Sequence, residues 1–120
     1  MSYIAHIPVK LPGLNEYTTA NRMNRHVGAK MKRDTEKQII PHLYQLPKIK
    51  KPVKLKFIWC EENKRRDLDN VAFAKKFILD ALVTTNTLIN DNEKYVKGFS
   101  DEFWYDKKFV GVILIIEEVA

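Results

Sequence analysis

A single cysteine, Cys60, leaves the chain unable to form an intrachain disulfide or a cysteine-based zinc site. The three histidines, His6, His26 and His42, are scattered, without the spacing of a helical metal pair or of a catalytic dyad with Cys60. Zinc hydrolysis and thiol catalysis are thereby set aside. Cys60 follows Trp59 at the end of an apolar alternation and reads as a packing residue. No basic segment followed by a long apolar stretch is present at the amino terminus, and the longest apolar run, 109–116, is far too short to span a bilayer. The expectation is a cytoplasmic protein without a membrane partner. Internal repeats, low-complexity tracts and domain linkers are also missing, so the expectation is one domain covering residues 1–120.

What is present is a globular composition with a basic bias. At 120 residues the chain is long enough for a real core, and 45% of it is hydrophobic. Lys plus Arg number 21 against 15 Asp plus Glu, a formal net charge of +6. That balance favours a polyanionic partner, although many small proteins are basic without binding one. Position along the chain must decide.

Residues 3–9 form a short β-prone run closed by the Pro12-Gly13 turn signal. Residues 15–28 are polar, basic and aromatic without periodicity and read as a loop. From Ala29 helix formers predominate, predicting a helix over 29–45 that Pro41 should kink or end. Val53, Leu55, Phe57 and Trp59 alternate with Lys54, Lys56, Ile58 and Cys60, the period-two pattern of a strand with one buried face. Val71, Ala74, Ile78, Ala81 and Leu82 recur at spacings of three and four, predicting a helix over 69–84. Residues 95–104 and 109–117 favour strands and predict a hairpin. The last is apolar on consecutive positions, as for a central strand covered on both faces. The order is βαβαββ, an α+β fold with a mixed sheet and two main helices.

The chemistry concentrates in Lys64-Arg65-Arg66-Asp67-Leu68-Asp69-Asn70, with Asp91 following the second helix. If 67–69 is extended, Asp67 and Asp69 point to one side while Leu68 turns to the core, making a metal-ligand pair. Oxygen ligands without His or Cys favour Mg²⁺ or Mn²⁺. Carboxylates on a divalent ion, with arginines to hold phosphate, are what phosphodiester hydrolysis needs. The competing reading is that Asp69 or Asn70 caps a helix, and that Arg65 and Arg66 are solvated residues softening carboxylate repulsion. At about 100° per residue, Asp69, Phe73, Lys76 and Asp80 fall on one helix stripe. Lys76 is therefore a candidate to neutralise charge on a phosphate oxygen, with Lys75 the competitor and a surface Lys76–Asp80 pair the bland alternative.

Arg66-Asp67-Leu68-Asp69-Asn70, then Leu79-Asp80-Ala81-Leu82, then Leu88-Ile89-Asn90-Asp91 resemble the RusA family of Holliday junction resolvases. Pro12-Gly13-Leu14-Asn15-x-Tyr17 is similar to that family's early Asn-containing loop. Many members carry a lysine three residues after the Asn of the motif; here that position is Phe73, and Lys76 takes its place on counting back from Asp80. The resemblance implies that Asp67, Asp69 and Asp91 bind Mg²⁺, with Mn²⁺ able to substitute, and that Asn70 orients a carboxylate or water behind them. It further implies a homodimeric, Mg²⁺-dependent endonuclease that resolves four-way DNA junctions by paired symmetric nicks in recombination and repair, in a phage or prophage setting. Asn15, Arg22, Arg25, Lys30, Lys32 and Arg33, with Arg65, Arg66 and Lys75, would then contact DNA, mainly through phosphates. Two alternatives stand beside it: a branched-DNA-binding protein without cleavage, and a nuclease of flaps or other branched DNA.

Overall fold

The alternation at 53–59 folds as one buried stripe: Val53, Leu55, Phe57 and Trp59 are each at most 2% exposed. Each such side chain contributes on the order of 1.5–3 kcal/mol through its removal from water. In the computed structural model, which describes residues 1–119, this stripe belongs to β2 (Val53–Glu61). The other strands are β1 (Ser2–Ile7), β3 (Val96–Tyr105) and β4 (Gly111–Glu118). They form one mixed sheet in the order β1-β4-β2-β3, with β4 antiparallel to both neighbours and β2 parallel to β3. The α+β class with a mixed sheet is as expected.

The expected hairpin between the last two strands does not form. β2 lies between them, and the connector from β3 to β4 crosses the end of β2, where the Asp106 N–H donates to the Glu61 carbonyl at 2.9 Å. A parallel β2–β3 pair requires a crossover, and the helical stretch after β2 supplies it. β4 is central, as expected, but it is covered on one face only. Val112, Leu114 and Ile116 join the core while Ile113 and Ile115 stay half-buried on the other face.

Four helices replace the two expected. The segment read as a loop is α1 (Leu14–Met23), followed directly by α2 (Arg25–Ile39) and a 3-10 turn (Ile40–His42) that carries Pro41. α1 buries only Ala20, so it has no apolar stripe to betray it. Its start is set by the Glu16 carboxylate, which accepts the Gly13 N–H at 3.4 Å. Its end is set by Asn24, extended at φ −178°, whose side chain accepts the His26 N–H at 2.7 Å and so caps α2 as well. Gly28 of α2 is buried against Asn21, where a Cβ would collide with the Asn21 side chain; the two helices touch through that gap.

The helix expected over 69–84 breaks into α3 (Leu68–Ala72) and α4 (Lys75–Thr84). At the joint Ala74, Lys76 and Phe77 donate to the carbonyls three residues back, at 3.2, 3.1 and 3.0 Å. This tighter turning interrupts the stripe counted from Asp69 to Asp80. Phe77, Ile78, Ala81 and Leu82 of α4 are fully buried and pack with Ile39 and Leu43 on the β2 stripe. All helices cover this one face. No helix among the described residues is long and apolar enough to cross a membrane.

Candidate acidic cleft

Asp67 is the residue before α3, in extended conformation (φ −66°, ψ 154°), and its side chain makes no capping bond. Asp69 stands in the first turn, its Oδ1 accepting the Asn70 N–H at 3.0 Å. The expected extended Asp67-Leu68-Asp69 ladder is therefore replaced by a helix start. Leu68 is 52% exposed instead of facing the core, because the chain turns into α3 one residue earlier. Among the described residues, Asp67, Asp69 and Asp91 have no ion-pair partner. Their carboxylates are exposed and uncommitted.

The neighbouring cations divide into engaged and free. Arg66 donates through Nε and Nη2 to the two carboxylate oxygens of Glu61, both at 2.8 Å, and through Nη1 to the Leu11 carbonyl at 3.1 Å. A guanidinium held on every side has no fork left for phosphate, which corrects the expectation for Arg66. Arg65 is exposed, its backbone N–H donating to Asn63 Oδ1. Lys75 is committed too: its ammonium lies 2.9 Å from Asp101 Oδ2, 5.3 Å from the Phe57 ring centre and 4.8 Å from that of Phe99. Asp101 Oδ1 in turn accepts the Trp59 indole N–H at 2.8 Å. Lys76 is exposed and has no ion-pair partner among the described residues. The anticipated Lys76–Asp80 pair is absent because Lys32 reaches Asp80 instead, at 3.1 Å. That contact is a charge pairing of poor hydrogen-bond angle, leaving Asp80 Oδ2 buried without a true donor. The Asp80 carboxylate raises the Lys32 pKa above its ordinary value.

Lys76, Asp80 and Asp91 line one cleft of about 390 Å³ with Ala72, Phe73 and Leu79. The crossover explains both what meets here and what does not. α3 leaves the C-terminal end of β2, while the loop after α4 leads to the N-terminal end of β3, so Asp67 and Asp91 belong to opposite ends of the connection. The loop doubles back far enough for Asp91 to share the cleft with Ala72, three residues from Asp69. Among the described residues, however, no three His, Cys, Asp or Glu side chains group closely enough to hold a metal ion. The donor set suits a hard divalent ion; the spacing does not close a three-carboxylate site.

Asn70 faces the other way from the role expected of it. Its Oδ1 accepts the Asn15 N–H at 2.9 Å, so the two segments carrying the resemblance, 12–17 and 66–70, dock on each other. Gly13 permits that approach: a Cβ there would sit 2.5 Å from Asn70 Oδ1 and 2.9 Å from the Asn70 carbonyl oxygen. Phe73 packs with Tyr17 (ring centres 5.5 Å apart) and Phe77 (5.8 Å), a core contact where the family pattern has a cation. On α1 and α2, Arg22, Arg25 and Arg33 are exposed without ion-pair partners among the described residues, whereas Lys30 is tied to Asp34 at 2.7 Å. Lys30 holds the Asp34 carboxyl below its usual pKa.

Glu61, Asp101 and Trp59 were not foreseen in these contacts. Asp101 carries a faint signal, since it has the inward parity of β3, opposite Phe57. Glu61 carries none, because its burial depends on the sheet's order. No protein-family model matches the chain, and no curated protein sequence is significantly similar to it.

Proposed function

We propose that the chain is a divalent-cation-dependent endonuclease of branched DNA, with the four-way junction as first substrate and a homodimer as the working form. The observation that carries this reading is the pairing of an uncommitted cation, Lys76, with an uncommitted carboxylate, Asp91, in one cleft that reaches to within one turn of Asp69. Mg²⁺, or Mn²⁺ in its place, would be held by Asp67, Asp69 and Asp91. When bound it would supply Lewis-acid stabilisation and an activated water. Lys76 would set its ammonium against the phosphate undergoing attack. Arg22, Arg25 and Arg33, with Arg65 and Asn15 nearer the acids, would hold the DNA arms through phosphate contacts that weaken steeply with salt.

A second reading is binding of branched DNA without cleavage, favoured by the ungrouped acids and by Phe73 in the core. End-labelled four-way junction, flap and plain duplex in Mg²⁺ separate the readings. The expected result is paired nicking of the junction that disappears in Asp67→Asn, Asp69→Asn and Asp91→Asn while junction binding persists. Nicking unchanged by all three substitutions would overturn the cleft as the cleavage site. Binding with no nicking in Mg²⁺ or Mn²⁺ would favour the second reading, and preference for flaps would redirect the substrate.

A further inference from the structure

The face of the sheet turned away from the helices is covered by no other element. Its centre is apolar: Ile58 of β2 stands opposite Ile113 of β4, Ile115 lies beside them, and Ile4 and Trp104 on the outer strands are 64% and 51% exposed. Contiguous exposed apolar surface of this kind marks association. The charges on the same face cancel, Lys54 and Lys56 against Glu102 and Glu117, with Lys56 and Glu102 paired at 2.8 Å. On a chain of net charge +6 this is a neutral zone. It offers a polyanion no excess of cations, and it does not repel another copy of itself.

Lys54 and Glu117 add a direction. They are direct cross-strand partners in the β2–β4 register, both exposed, yet they form no ion pair within the chain. We infer that this open face binds a second copy of the chain, sheet on sheet, about a two-fold axis that runs along the strands between β2 and β4. Such an axis exchanges the two central strands at constant height. Lys54 then lies over the partner's Glu117, and Ile58 over the partner's Ile113. The contact is isologous, with the roughly 10 Å spacing and aligned strands of packed sheets. It deepens the nuclease reading and rests on it only for the use of two clefts per particle.

Sedimentation velocity of the full chain, without DNA or metal, tests the interface alone. The expected mass at roughly 10–100 μM, a range suited to contacts of modest size, is twice 14.1 kDa. Ile4→Glu, at a site too exposed to matter for folding, should weaken the dimer at least about tenfold. Lys54→Glu and Glu117→Lys should each weaken it similarly, and the double reversal should restore it. Far-UV circular dichroism checks that each variant is folded. A wild-type mass of 14.1 kDa across that range, a dimer indifferent to Ile4→Glu, or a double reversal that fails to restore mass overturns the proposal. A monomer that still nicks junctions sinks this interface and leaves the nuclease reading standing; an intact dimer without nicking does the reverse.

Discussion

Arg66 grips Glu61 through two parallel hydrogen bonds of 2.8 Å at the end of β2, with the two side chains only 17% and 10% exposed. The pair joins the acidic turn to the sheet, and the third donor of Arg66 carries the tie on to the Leu11 carbonyl. Removing one partner strands the other charge in a poorly solvated place, which costs far more than the net contribution of the pair. Arg66→Ala should therefore lower unfolding free energy by about 3 kcal/mol, while Arg66→Leu with Glu61→Leu should recover much of that loss. Guanidinium denaturation measures both. An Arg66→Ala variant of native stability would show that the clamp does not hold the turn.

Asn70 and Gly13 form a second joint, between α1 and α3. A methyl group at residue 13 would press on both the side chain and the backbone of Asn70. Gly13→Ala should destabilise the protein by about 1–3 kcal/mol, the usual range for overpacking. Asn70→Ala should cost about 1 kcal/mol through the lost hydrogen bond to the Asn15 N–H. Combining Gly13→Ala with Asn70→Ala should cost less than the sum, because the side-chain part of the clash is gone while the carbonyl remains. Additive melting-temperature losses would refute this coupling.

Much of this fold was legible, and the reasons for the rest are local. The β2 stripe announces itself because one buried face imprints a period of two, and α4 because its inward residues keep a period near 3.6. Pairing leaves no such imprint: nothing in 95–117 says that β2 will come between two neighbouring strands. α1 was hidden because it buries one alanine, and only Glu16 and Asn24 marked its ends. In the site, Asp67, Asp69, Asp91 and Lys76 were chosen by residue type, and the structure leaves all four unpaired. Lys75 could not be told from Lys76, since adjacent residues differ only by which way the helix turns them. Arg66 looked free because the burial of Glu61 is a property of the assembled sheet.

Cys60 carries a pH signature. Its thiol is 2% exposed, and burial, reinforced by the Asp106 and Glu61 carboxylates, raises its pKa above that of a free cysteine. With the folded value raised, the stabilising contribution is fully present below the unfolded pKa, about 8.5, and is lost as pH rises through the folded value. The native protein should resist an aromatic disulfide reagent at pH 8 and react fully in denaturant. Cys60→Ala should flatten part of the alkaline decline in stability. Fast stoichiometric labelling of the native protein would contradict the burial.

The two adjacent lysines should separate cleanly by assay. Lys75 is fixed between Asp101 and two aromatic rings, so Lys75→Ala removes a partly buried ion pair and a cation over Phe57 and Phe99. It should destabilise the fold by about 1–2 kcal/mol. Lys76 projects from the same turn into the cleft beside Asp91 with nothing to hold it. Lys76→Ala should change stability by less than about 0.5 kcal/mol, as surface substitutions do. If the cleft is where DNA is cut, the same change should slow junction nicking by about 10²–10³-fold, the range seen when one preorganised charge donor is removed. Single-turnover nicking beside thermal melting gives both numbers for both variants. Loss of nicking by Lys75→Ala alone, with Lys76→Ala fully active, would transfer the catalytic charge to the cation that the fold already holds.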